Sequence, residues 1–99
     1  MPATATLVNE VSTLAFTVPA GAKGFLLWNK TATPLRLRVN ANAAASGADE
    51  GIPIDAGDTA TTHFSYAFTE PLRQAVNVFV YHAAGSNITS GVGWDAINF

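Results

Sequence analysis

Residues 24–39 carry two apolar runs in succession: Gly24-Phe25-Leu26-Leu27-Trp28-Asn29, a break ending at Pro34, and then Leu35-Arg36-Leu37-Arg38-Val39. The second run alternates strictly. A period of two is that of a pleated strand, so Leu35, Leu37 and Val39 face a core while Arg36 and Arg38 share the opposite face, about 7 Å apart. The first run is apolar on both faces and reads as a central strand covered on both sides. Neither has the spacing of an amphipathic helix.

The same grammar extends in both directions. Upstream lie Thr4 to Val8, an Asn9-Glu10 break, and Thr13 to Val18, which is closed by Pro19-Ala20-Gly21. Downstream, Asn40 to Glu50 has no periodicity and reads as the longest loop. Gly51-Ile52-Pro53-Ile54 reads as a short edge strand, because Pro53 cannot donate to a ladder. Asp55-Ala56-Gly57-Asp58 reads as a turn with Gly57 at positive φ.

Thr59 to Phe68 sets Phe64, Tyr66 and Phe68 against Thr61, His63 and Ser65. Val76 to His82 turns Val76, Val78 and Val80 inward and leaves Phe79 and Tyr81 outward, either covered by a neighbour or open for binding. The last run, Ile88 to Phe99, is interrupted by Gly91-Val92-Gly93. Eight short antiparallel strands in one domain, residues 1–99, predict an all-β, two-sheet, jelly-roll-like sandwich.

Composition narrows the function. Of the 99 residues 12% are charged, about half the usual share for a soluble domain, while 48% are hydrophobic. A weakly charged exterior suits a protein that hides part of its surface in an assembly. The net charge of −2 lacks the basic footprint of a nucleic-acid binder. No apolar run approaches the roughly 18 residues of a membrane span, and Met1 to Val8 lacks the pattern of a secretory signal.

Zero cysteines exclude a disulfide framework, a thiolate zinc site and a cysteine nucleophile. His63 and His82 stand on different strands without a His-x-His pair, which predicts ordinary strand histidines and no metal or other cofactor. No Gly-x-Ser-x-Gly elbow occurs. Asp49-Glu50 and Asp55/Asp58 have a sufficient explanation as turn acids. The triplets Asn29-Lys30-Thr31 and Asn87-Ile88-Thr89 match the glycosylation acceptor pattern, here read as accidental. The chain is therefore expected not to be an enzyme.

The order "apolar strand, Asn-x-Thr turn, alternating strand, Ile-Pro-x-x-Ala-Gly-Asp turn, Val-x-Val-x-Val strand" runs from Gly24 through Leu35 to Val39, Gly51 to Asp58 and Val76 to Tyr81. It resembles the small β-sandwich accessory proteins of tailed-bacteriophage virions. The resemblance implies a noncatalytic capsid cement or decoration protein in the virion. It also implies a homo-oligomer, a trimer before other states, bound to a major capsid protein. Interface residues expected on this reading are Arg36, Arg38, Phe79, Tyr81, Trp94, Ile97 and Phe99, with Ile97 and Phe99 packed on the chain's own sheet and Trp94 offered to a neighbour. The alternative is a carbohydrate-binding module or small tail or fibre component that stacks sugars on Trp28, Phe79, Tyr81 or Trp94.

Overall fold

The computed structural model describes residues 3–39, 52–57 and 62–98. Among these lie seven strands and no helix: β1 (Thr13–Val18), β2 (Gly24–Asn29), β3 (Leu35–Val39), β4 (Ile52–Ile54), β5 (Thr62–Ala67), β6 (Val76–Tyr81) and β7 (Val92–Ile97). They form a four-stranded sheet in the order β1-β6-β3-β4 and a three-stranded sheet in the order β5-β2-β7. Every pairing is antiparallel. Two sheets packed face to face make the chain an all-β sandwich. The predicted long loop from Asn40 to Glu50 lies outside the described residues.

The inner faces interdigitate. From one sheet come Phe16, Val18, Leu35, Leu37, Val78 and Val80, and from the other Phe25, Leu27 and Val92, all buried. Phe16 stacks on Trp94 with ring centroids 4.5 Å apart and meets Phe25 edge-on at 5.4 Å, so aromatic contacts join the sheets. Phe64, Tyr66 and Phe68 pack half-buried around Phe25.

The predicted first strand, Thr4 to Val8, is instead a strap. It makes two isolated bridges, Ala3 to Gly93 and Leu7 to Ile88, while the Ala5 amide donates to the Ala15 carbonyl at 3.0 Å. The segment thus runs from β7 in one sheet to β1 in the other, with Leu7 fully buried at the seam. A strand needs one continuous partner, and this stretch changes partner every two residues.

Among the described glycines, positive φ occurs at Gly21, Gly85 and Gly91. The expectation for Gly57 is replaced by a tether: Gly57 is buried, and its amide donates to the Thr31 carbonyl at 2.9 Å.

Candidate interaction face

The outer face of the four-stranded sheet gathers four of the residues singled out in the sequence. In the antiparallel register Leu14 lies opposite Phe79 and Phe79 opposite Arg38. One rung along, Tyr81 lies opposite Arg36 and Arg36 opposite Pro53. Opposed residues sit about 5 Å apart and successive same-face residues about 7 Å apart, so the six form one contiguous patch. Leu14 is 42% exposed, Pro53 is exposed, and Phe79, Tyr81, Arg36 and Arg38 are half-buried. The β3 and β6 core faces, Leu35 and Leu37 beside Val78 and Val80, hold these outward side chains in place. Toward the far end of β1 the face becomes polar, where the Thr17 hydroxyl donates to Asn77 Oδ1 at 3.0 Å.

At the Tyr81–Arg36–Pro53 rung the patch opens into a cleft of about 230 Å³, walled by Pro34, Leu35 and Ile54. Below it, His82 is 2% exposed. Its Nδ1 accepts the Ala84 amide at 3.2 Å, which leaves Nε2–H to donate to the Leu7 carbonyl at 2.8 Å. His82 therefore ties the strap to the end of β6. His63 lies on the opposite side of the molecule, exposed on the three-stranded sheet with its ring edge-on to Trp28 at 6.0 Å. His63 stands on β5 and His82 just past the end of β6, and among the described residues no three His, Asp or Glu side chains converge on a metal-sized point.

The remaining sequence-predicted residues separate from the patch. Trp94 faces the core opposite Leu27 and stacks on Phe16. Ile97 sits opposite Gly24 on the outer face of the other sheet, half-buried. The expected phase of the last strand is thus inverted, because its register is set by β2, which turns Val92, Trp94 and Ala96 to the inner face and Asp95 and Ile97 outward. Phe99, Asp49, Glu50 and Asp58 lie outside the described residues. Trp28 and Leu26 occupy the outer face of β2 half-buried, so cover on that side is partial.

Asn29, read in sequence only as a strand end and an accidental acceptor triplet, is fully buried at the end of β2. Its Nδ2 donates to the carbonyls of Thr33 and Asp55, each at 3.0 Å. Its Oδ1 accepts the Thr31 amide at 2.9 Å and the Thr31 hydroxyl at 2.6 Å. The clamp fastens the β2–β3 turn to the residues following β4, which line the cleft. With both amide hydrogens engaged and no exposure, Asn29 is closed to glycosylation in the folded chain, whereas Asn87 is exposed.

Comparison of the chain with protein-family models, with curated proteins and with solved structures finds no match.

Proposed function

We propose that the chain is a noncatalytic structural protein of a bacteriophage virion, a capsid cement or decoration protein that self-associates and docks on the major capsid protein. The observation that carries the reading is the gathering of Arg36, Arg38, Phe79 and Tyr81 with Leu14 and Pro53 on the outer face of one sheet. Aromatic and Arg side chains dominate interface energetics, and an apolar centre with cationic neighbours fits an acidic, partly apolar lattice surface. The low charge of the whole chain and the order of its strands and turns support the same reading.

The test is co-sedimentation with shells of the major capsid protein encoded in the same genome. Wild-type chain should pellet with the shells. Arg36→Ser/Arg38→Ser should lower occupancy, most strongly at low salt where exposed charges are least screened. Wild-type chain that stays in the supernatant, or unchanged occupancy of the double variant across the salt series, contradicts the proposal.

A carbohydrate-binding module is the second reading, favoured by Phe79 and Tyr81 standing two residues apart on one sheet face. Trp94 drops out of that platform because it stacks on Phe16. Binding on a glycan array that is lost in Phe79→Ser/Tyr81→Ser would favour it.

A further inference from the structure

Four strand edges bound the two sheets, and three carry a device that discourages pairing with another chain. β4 is three residues long with Pro53 at its centre. β1 is irregular between Leu14 and Phe16, and the Ala5 amide already occupies the Ala15 carbonyl. β7 is crossed at its start by Ala3 and Thr4 and displays the exposed Asp95 farther along. β5 has none of these. Thr62-His63-Phe64-Ser65-Tyr66-Ala67 contains no Lys, Arg, acid or Pro, its register with β2 is unbroken, and among the described residues it pairs with β2 alone.

The phase of that edge is fixed by one bond: the Phe68 amide donates to the Lys23 carbonyl at 3.0 Å. Alternate residues of an antiparallel ladder turn their backbone groups the same way. Phe64 and Tyr66 therefore address β2, and the N–H and C=O groups of His63, Ser65 and Ala67 address the open side. The side chains of these three are exposed, so nothing on them obstructs an approaching strand.

We propose that this edge pairs with β5 of a second copy, antiparallel about a two-fold axis at Ser65, joining two three-stranded sheets into one of six strands. The occupant follows from self-complementarity. Reversed on itself, the strand sets Ser65 against Ser65, His63 against Ala67 and Phe64 against Tyr66, so no like charges oppose each other in a chain whose net charge is −2. The pairing gives the self-association proposed above a place in the fold, and makes it two-fold where the resemblance implied a trimer. It uses the sheet opposite the docking face, and its test reads mass and cross-linking, so it fails separately from capsid attachment.

Size-exclusion chromatography with light scattering at micromolar concentration should give twice the 10.3 kDa of the chain. Ser65→Pro removes an outward N–H and leaves the bonds to β2 intact, while Ser65→Lys opposes two cations at the axis. Both should run as monomers with unchanged far-UV circular dichroism. Because the chain has no cysteine, a Ser65→Cys variant should oxidise to a covalent dimer roughly tenfold or more faster than Thr17→Cys on the other sheet, since pairing raises the local thiol concentration toward about millimolar. A wild-type monomer or trimer, a dimer that survives Ser65→Lys, or equal cross-linking of the two cysteine variants overturns the proposal. Should Ser65→Pro fail to fold, the Ser65→Lys mass and the cross-linking rates decide.

Discussion

Asn29 makes four side-chain hydrogen bonds, two donated and two accepted, with no exposure. Removing it strands the Thr31 amide and the Asp55 carbonyl, while the Thr33 carbonyl keeps the Thr31 hydroxyl as its donor, and each buried polar group left unpaired costs about 1–3 kcal/mol. Asn29→Ala should therefore lower stability by about 3 kcal/mol or more, seen as a fall in the urea midpoint. Asn29→Asp keeps the acceptor but aims a carboxylate at two carbonyls, and should be at least as damaging. If Asn29→Asp matches wild type, the amide assignment fails. In sequence this position reads as the end of an apolar run and an accidental acceptor triplet, and its role as a clamp leaves no sign there because its partners at Thr33 and Asp55 come from two different turns.

At the scale of elements, the strands with strong local signals were legible. β1, β2 and β3 occupy the expected residues, Thr13–Val18, Gly24–Asn29 and Leu35–Val39, since alternation and Pro or Asn stops act within a few residues of each strand. Arg36, Arg38, Phe79 and Tyr81 were legible as outward residues for the same reason. That β3 and β6 are neighbours, which brings these four together, comes from pairing between distant strands and leaves no local trace.

The strap and β7 were misread on the same ground. Thr4 to Val8 has strand composition without a continuous partner, and the phase of β7 depends on Trp94 lying opposite Leu27. That phase is testable: Trp94→Ala should cost about 3–5 kcal/mol as a core truncation. Ile97→Ser, on the outer face, should cost clearly less. Equal losses by chemical denaturation would restore the opposite phase. Gly24 is a further constraint, because a Cβ there would overlap the Tyr66 carbonyl oxygen of β5. Gly24→Ala should force β2 and β5 apart and raise amide exchange along β5, and unchanged protection would reject that close approach.

Among the described strands of the whole molecule, only β3 and β4 are neighbours both in sequence and in a sheet, and every other pairing joins strands distant along the chain. Closing such long loops before contacts form slows folding, and sandwiches of this kind fold in about milliseconds to seconds. Stopped-flow refolding should fall in that range. A microsecond phase carrying the full amplitude would contradict the topology. The same arrangement divides labour between the sheets: one presents the Arg and aromatic patch, and the other presents the uncharged β5 edge. On the function proposed above, the patch is the surface by which the chain attaches to the capsid lattice. A cryo-EM reconstruction of shells bearing the chain shows which sheet meets the shell. The β1-β6-β3-β4 sheet should lie against the lattice, with Arg36, Arg38, Phe79 and Tyr81 at the contact. Density that places the β5-β2-β7 sheet against the shell and leaves those four residues in solvent would contradict it.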